Sequence, residues 1–321
     1  MAAGEDAAAL GGRVQGVIPP LVTPFQSDGR LDLAGFEANL EAFAEEDLAG
    51  YLVLGSNGEA ASLEEDEKLA LVGVARAHAG SRALLVGTGL ESTRSTVAFT
   101  RKAAERGADA ALVLTPSYYK SSMTAEALQR HFEAVADASP IPVLLYSVPA
   151  FTGLPWPPGL AAALAPHPGI AGMKESSGDI GLLGRIVSSV PASFRVLCGS
   201  GPVFYPALCM GAVGGVLAVA NCAPRATAAL YQSFKTGDHA RARRIQDALT
   251  PLGVAVTSTY GVAGLKAAMD LAGFRGGHLR SPLLPASPAV RETLRPLLER
   301  ASAAVDSSES GGNLSSPLRV T

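Results

Sequence analysis

A lysine and a tyrosine each close an apolar run of this sequence. Lys174 follows the apolar run 170–173 and precedes a segment with Ser, Gly and Asp. Tyr146 follows the apolar run 142–145, about one βα unit earlier in the chain. If both runs are neighbouring parallel strands, the two side chains emerge side by side at one end of a sheet. An unprotonated lysine amine attacks carbonyl carbons, and a phenol beside it can carry protons. The pair therefore predicts Schiff-base chemistry.

A turn of small residues closes the second apolar run. It reads Gly-Ser-Asn-Gly-Glu over 55–59. Small residues let backbone N–H groups point at a ligand, which makes a nest for a carboxylate, and the Ser56 hydroxyl can relay a proton. Such a turn is ordinary by itself. Its predicted position opposite Lys174 favours a role for Ser56 and Asn57 in holding a substrate.

Paired tyrosines, Tyr118 and Tyr119, follow the fourth apolar run in a proline-containing loop. Tyrosines in such loops most often serve packing or an interface, and neither stands out on chemistry alone. Here they are candidates for both an interface and a proton relay.

Two other kinds of chemistry are disfavoured. The segment 87–92, Gly-Thr-Gly-Leu-Glu-Ser, lacks the third glycine of the dinucleotide fingerprint. The five histidines are scattered over predicted helices and loops with no pair at ligand spacing, which predicts solvated or helix-capping histidines and no metal site. The lysine route that remains needs no metal and no organic cofactor.

Composition limits the partners and the compartment. The chain has 321 residues, 48% of them hydrophobic, and a formal net charge of −3, which favours a large core and a small-molecule ligand over nucleic acid or a membrane surface. Residues 1–12 hold no basic side chain, which argues against a targeting signal, and no apolar run has the length of a membrane span. Cys198, Cys209 and Cys222 lack metal-ligand spacing and are interpreted as buried free thiols of a cytoplasmic protein.

Eight short β-rich runs alternate with amphipathic stretches. Near-continuous apolar strands of this kind form a parallel sheet covered by helices, and eight units favour a closed (β/α)8 TIM barrel because closure leaves no edge. The predicted strands cover 16–23, 51–54, 83–87, 110–115, 143–147, 170–174, 195–199 and 214–218. The predicted helices cover 31–46, 64–79, 92–106, 124–138, 180–190, 223–236, 238–272 and 287–304.

The chain is divided into four predicted segments. Residues 13–236 form the α/β barrel, and 237–304 form a C-terminal helical region without strands. Residues 1–12 are predicted to be a flexible N-terminus. Residues 305–321, rich in Ser and Gly, are predicted to be a disordered tail, to which no function is assigned.

Several motifs, in this order along the chain, resemble one family, the pyruvate-dependent class I aldolases that include dihydrodipicolinate synthase and N-acetylneuraminate lyase. The resemblance covers about residues 16–285. Its motifs are Pro-Pro-Leu-Val-Thr-Pro-Phe at 19–25, Gly-Ser-Asn-Gly-Glu at 55–59, Thr-Pro at 115–116, Tyr-Ser-Val-Pro at 146–149, Gly-Met-Lys-Glu at 172–175 and Tyr-Gly-Val-Ala-Gly-Leu-Lys at 260–266. Within the family the chain is most similar to 4-hydroxy-2-oxoglutarate aldolases.

The resemblance implies the catalytic roles. Lys174 would form the Schiff base with the C2 carbonyl of pyruvate, and Tyr146 would be the general acid and base. Tyr118 would reach across a dimer interface into the site of the neighbouring subunit and relay protons there. Ser56 would bridge Tyr118 and Tyr146. The family is typically a homotetramer built as a dimer of dimers, so the same assembly is expected here.

The resemblance also implies a set of substrate-binding residues. Ser56 and Asn57 would hold the substrate carboxylate, and Ser176 would shape the acceptor end. Val216, in the eighth predicted strand, is a further candidate for contact with the substrate.

One position departs from the synthases of this family. They usually carry an arginine between Val-Pro and Thr-Gly, where this chain has Phe151, and a threonine where it has Ser56. An apolar ring cannot bind a carboxylate in bidentate fashion. The expected function is therefore cleavage of 4-hydroxy-2-oxoglutarate to pyruvate and glyoxylate. The alternatives are 4-hydroxy-tetrahydrodipicolinate (dihydrodipicolinate) synthase, a 2-keto-3-deoxy sugar-acid aldolase, and a non-catalytic oxo-acid sensor, which intact Lys174 and Tyr146 disfavour.

Overall fold

The computed structural model describes residue 10 and residues 12–306. The predicted flexible N-terminus and the predicted disordered tail lie almost entirely outside the described residues. Of the former, Leu10 is described and is buried against the barrel. The last helix continues to Asp306, so it runs two residues past the predicted end at 304.

Eight parallel strands form the sheet of a (β/α)8 TIM barrel, as predicted. Strand β1 pairs with β8, and the ladders continue in order back to β2. A parallel bridge between Pro20, just after β1, and Leu52 of β2 closes the barrel. The strands are β1 Gly16–Ile18, β2 Gly50–Val53, β3 Ala83–Gly87, β4 Ala110–Leu114, β5 Val143–Ser147, β6 Ile170–Glu175, β7 Arg195–Cys198 and β8 Gly214–Val216.

Helices follow the strands and continue after β8. Asp32, Ser92, Thr124 and Asp179 cap four of them, each accepting a hydrogen bond from a backbone N–H three residues later. The helices are α1 Leu33–Ala44, α2 Glu65–Ala79, α3 Thr93–Glu105, α4 Ala125–Ala138, α5 Pro149–Thr152, α6 Leu160–Leu164, α7 Ile180–Ser189, α8 Phe204–Cys209, α9 Pro224–Lys235, α10 His239–Val254, α11 Gly261–Leu271 and α12 Pro288–Asp306.

The sequence missed some boundaries and some short helices. Strand β1 stops at Ile18 instead of residue 23, because Pro19 and Pro20 have no N–H to donate to a ladder. The predicted helix 238–272 is two helices, α10 and α11, separated by a π-helical turn over Ala255–Thr259. Helices α5, α6 and α8 were not predicted, since segments of four to six residues carry little periodicity.

Two apolar clusters divide the core. One fills the barrel interior and includes Leu144, Tyr146 and Val216, and the other packs the strands against the helices and includes Val143 and Leu145. The alternation along β5 follows from the period-2 geometry of a strand. It sends Tyr146 into the interior of the barrel.

Two interpretations of polar residues need correction. His131 is buried instead of solvated: its Nδ1 lies 2.8 Å from Thr93 Oγ1, and burial lowers its pKa to about 4. Cys209 is exposed because it lies in the last turn of α8, whereas Cys198 and Cys222 are buried and burial raises the pKa of each thiol to about 12. Within residues 12–306, no helix is both long enough and apolar enough to cross a membrane.

Candidate active site

Lys174 and Tyr146 lie side by side on neighbouring strands, as the spacing predicts. In the β5–β6 ladder the two residues are direct partners. The Lys174 Nζ atom lies 4.3 Å from the centroid of the Tyr146 ring, and the residues are only 3% and 5% exposed. An amine held over the electron-rich face of a phenol is positioned for carbonyl chemistry with a proton carrier beside it.

An irregularity in the ladder sets this pairing. Val143 pairs with Ile170 but Leu144 pairs with Gly172, so β6 carries one extra residue. Such a bulge changes which side chains face inward. Gly172 is required just beyond it, because a Cβ there would lie 2.1 Å from the Arg195 carbonyl oxygen of β7. The bulge therefore places Lys174 beside Tyr146.

Ser56 reaches the same group from β2. It begins a single 3₁₀ turn, Ser56–Gly58, and its Oγ lies 3.5 Å from the Tyr146 hydroxyl, at the outer limit of a hydrogen bond. Thr23 Oγ1 donates to the Gly58 carbonyl oxygen at 2.7 Å and holds the turn against the loop after β1. Asn57 follows Ser56 on the turn and is partly exposed. The predicted approach of Ser56 to Tyr146 is present.

The backbone on both sides of this turn is strained. Leu54 has φ of 62° and Glu59 has φ of 53°, the left-handed region that favours glycine. Each such residue costs about 1–3 kcal/mol and persists only when its surroundings hold it. No other non-glycine residue among those described has a positive φ. Strain is thus concentrated around Ser56.

Val216 and Ser176 lie at different places around the site. Val216 is buried in the barrel interior, in the same apolar cluster as Tyr146. Ser176 follows β6; its Oγ is buried without a hydrogen-bond partner, and a Cβ at Gly199 would lie 1.8 Å from it. Gly199 therefore leaves the space that the Ser176 hydroxyl occupies. Its contact with a ligand stays a prediction.

Two neighbours of the site belong to the sequence motifs but had no predicted role. Thr115 donates from Oγ1 to the Tyr146 carbonyl oxygen at 3.2 Å, so the Thr-Pro motif holds the strand that carries the phenol. Glu175 is buried next to Lys174, and burial raises the pKa of its carboxyl group. Its Oε1 accepts from Ser177 N at 2.8 Å, which orders the loop after β6.

Tyr118 lies apart from the other predicted residues in this single chain. It is 77% exposed, its ring packs edge-on against Tyr119, and across the described part of the chain its hydroxyl has no hydrogen-bond partner. Glu91 fixes its backbone by accepting from Tyr118 N at 2.8 Å. An exposed ring on an ordered loop is available to a second subunit, and the relay role stays a prediction.

Among residues 12–306, no three His, Cys, Asp or Glu side chains form a group that could hold a metal ion. The polar groups brought together are the amine of Lys174, the phenol of Tyr146 and the hydroxyl of Ser56. This set can bind a carbonyl carbon covalently and move protons around it.

Comparison with known proteins identifies the family of the chain. Residues 13–301 match the Dihydrodipicolinate synthetase family. The 4-hydroxy-tetrahydrodipicolinate synthase of Exiguobacterium sp. is 37% identical over 286 residues, which are 89% of this chain and 97% of that protein.

Solved structures show the same barrel. YagE, a prophage protein of E. coli K12 that belongs to the dihydrodipicolinic acid synthase family and was solved in complex with pyruvate, has a TM-score of 0.84 at 30% identity, covering 90% of this chain and 99% of its own. A monomeric dihydrodipicolinate synthase variant has a TM-score of 0.85 at 31% identity, covering 90% and 97%. The chain belongs to the dihydrodipicolinate synthetase family.

Proposed function

We propose that this member of a family of pyruvate-dependent aldolases and synthases cleaves 4-hydroxy-2-oxoglutarate to pyruvate and glyoxylate. The observation that carries the choice of substrate is Phe151, which stands where a synthase of this family is expected to have an arginine. The chemistry is carried by Lys174 and Tyr146, which are buried and in contact.

The proposed mechanism begins with Lys174. Its neutral amine attacks the C2 ketone of the substrate, the former ketone oxygen takes up a proton from solvent and leaves as water, and an iminium ion forms. Tyr146 then accepts the proton of the C4 hydroxyl as its own proton passes to Ser56, and Ser56 releases a proton to solvent. The C3–C4 bond breaks, its electron pair moves into the iminium, and glyoxylate is released. Protonation of the enamine at C3 and addition of water give pyruvate and free the amine. No metal or organic cofactor takes part in this proposal.

The position of Phe151 supports the choice of substrate. It lies on α5, the short helix that begins two residues after β5, and it is 66% exposed. An apolar ring cannot form the two parallel hydrogen bonds that a guanidinium gives to a carboxylate. Lys120 lies nearby, with its Nζ 2.9 Å from the position of a Cβ at Gly153. Lys120 offers a point charge but not a fork of donors.

A second candidate function is 4-hydroxy-tetrahydrodipicolinate synthase. The named relative from Exiguobacterium favours it, since 37% identity extends over nearly the whole of both chains. The synthase would use the same lysine to bind pyruvate and would condense it with aspartate semialdehyde. The two candidates therefore differ only in the acceptor, and kinetics on both substrates separate them.

Phe151 should decide between the two acceptors. We expect kcat/KM for cleavage of 4-hydroxy-2-oxoglutarate to exceed that for condensation of pyruvate with aspartate semialdehyde. Phe151→Arg should reduce the ratio of these two kcat/KM values by about 10- to 150-fold, which is the contribution of one charge-assisted hydrogen-bonded pair. Phe151→Leu, which stays apolar, is the matched control and should leave the ratio unchanged. If the wild-type chain condenses aspartate semialdehyde faster, the aldolase proposal is wrong and the synthase takes its place.

We propose further that the chain works as a homotetramer in which Tyr118 completes the site of a neighbouring subunit. Inactive Tyr118→Phe chains mixed and reassembled with inactive Lys174→Ala chains should then regain partial activity, because some hybrid sites hold both intact residues. Native mass spectrometry verifies that hybrids have formed. Absence of any recovery in verified hybrids would show that the site is not shared between subunits.

A further inference from the structure

The turn that carries Ser56 and Asn57, residues 55–59, is fixed by a charge at its far end. Glu59 ends the turn in a left-handed conformation, and its backbone N–H donates to the Ser56 carbonyl oxygen at 3.2 Å. Any rotation of the Glu59 backbone would therefore move Ser56. What holds Glu59 in place bears directly on the group around Tyr146.

The Glu59 side chain is buried, with one carboxylate oxygen in an ion pair and the other in a hydrogen bond. Its Oε1 lies 2.6 Å from Lys266 Nζ, and its Oε2 accepts from the backbone N–H of Arg280 at 3.1 Å. The side chains of Glu59 and Lys266 are 1% and 2% exposed. Lys266 belongs to α11 in the helical region after the barrel, so the ion pair connects that region to the catalytic end of β2.

The partners of Glu59 are themselves held. Lys266 Nζ also donates to the His278 carbonyl oxygen at 2.5 Å and lies 4.7 Å from the centre of the Phe25 ring. The Arg280 guanidinium lies 4.3 Å from the same ring and binds both carboxylate oxygens of Glu67, at 2.6 and 2.7 Å. The Lys266 ammonium group that faces Glu59 and the Arg280 backbone that donates to it are thus both held in place.

Stability alone does not account for this pair. Removing two charges from water costs about as much as their attraction returns, so apolar residues of similar volume would stabilise a fold equally well. Burial lowers the pKa of Lys266 and the nearby Glu59 carboxylate opposes that change. A buried pair fixes geometry more sharply than apolar contacts do, since both partners have directional bonds to satisfy.

We propose that the Glu59–Lys266 ion pair is a positioning device for the turn 55–59, through which the C-terminal helical region sets the binding of the substrate carboxylate. Glu59 and Lys266 act through Ser56 and Asn57 and do not touch the substrate. The inference rests on the proposed role of that turn as a carboxylate site. It does not depend on which aldehyde the enzyme releases.

The test measures pyruvate binding in the folded full-length chain. Glu59→Gln keeps an acceptor for Arg280 N but leaves Lys266 without its anion. We expect the pyruvate concentration that half-saturates borohydride trapping to rise about 10- to 100-fold. This is the effect of losing one hydrogen bond between the turn and the charged pyruvate carboxylate. Trapping of propanal, which has no carboxylate, should stay within two-fold of wild type. Circular dichroism and thermal melting show that each variant is folded.

Variants of Lys266 keep the test decisive if Glu59→Gln folds poorly. Lys266→Met should weaken pyruvate binding as Glu59→Gln does, Lys266→Arg should restore most of it, and the double variant Glu59→Gln/Lys266→Met should be no worse than either single variant. The matched control is Asp109→Asn. Asp109 binds Arg13 and Arg76, at 2.9 and 3.0 Å, where β4 begins at the other end of the barrel, so this variant should lose stability but not pyruvate affinity.

Two results would overturn the inference. One is unchanged half-saturation by pyruvate in folded Glu59→Gln and Lys266→Met chains. The other is an equal loss of trapping with pyruvate and propanal, which would mean that the pair supports the whole barrel mouth and not the turn. If the wild-type chain instead traps pyruvate at a residue other than Lys174, the Schiff-base assignment fails, while the effect of Glu59→Gln on pyruvate affinity still decides this inference.

Discussion

Lys174→Arg should abolish both turnover and the trapping of pyruvate by borohydride. The variant keeps a positive charge at the end of β6, but a guanidinium does not deprotonate near neutral pH and cannot supply a nucleophilic amine. In the wild-type chain, reduction with pyruvate should increase the mass of the peptide that contains Lys174. The expected loss is complete within detection, because no other group in the proposed mechanism forms the covalent bond.

Lys120→Arg is the matched control for this experiment. Lys120 is exposed on the loop after β4 and packs against Gly153, so it lies near the mouth of the barrel without a place in the covalent step. Its replacement should leave the trapping of pyruvate intact. A label found on Lys120 or Lys266 in the wild-type chain would refute the assignment of Lys174.

The barrel could be predicted because each of its strands is a local pattern. Buried on both faces, the strands are continuous apolar runs, and the capping residues between them mark helix starts such as those after Ser92 and Thr124. The prediction was wrong at the end of β1, where apolar residues continue in a loop after Pro20. The apolar residues there indicate burial and not pairing with a neighbouring strand.

The candidate site was predictable to the extent that it depends on strand ends. Lys174 and Tyr146 were placed together by their spacing, although the bulge near Gly172 that completes the pairing has no signature in the sequence. The contact of Glu59 with Lys266 joins two distant parts of the chain, so only the folded barrel reveals it. The role of Tyr118 depends on a second subunit, which one sequence does not describe.

Loss of the Tyr146 hydroxyl should cost the enzyme most of its rate while leaving its fold intact. We expect Tyr146→Phe to lower kcat by about 10²- to 10⁴-fold, the usual worth of a positioned general acid and base. The ring stays over Lys174, and the long 3.5 Å contact with Ser56 contributes at most about 1 kcal/mol to stability. The measurement is steady-state kinetics beside thermal melting of both chains.

Tyr51→Phe provides the comparison that isolates the chemistry of Tyr146. Tyr51 is a fully buried tyrosine of β2 whose hydroxyl has no hydrogen-bond partner, and its ring belongs to the layer between strands and helices. Removing that hydroxyl should leave kcat unchanged. A slow Tyr146→Phe chain that still traps pyruvate would place the lost function after imine formation, in the proton transfer that breaks the C3–C4 bond. An unchanged kcat would exclude Tyr146 as the proton carrier.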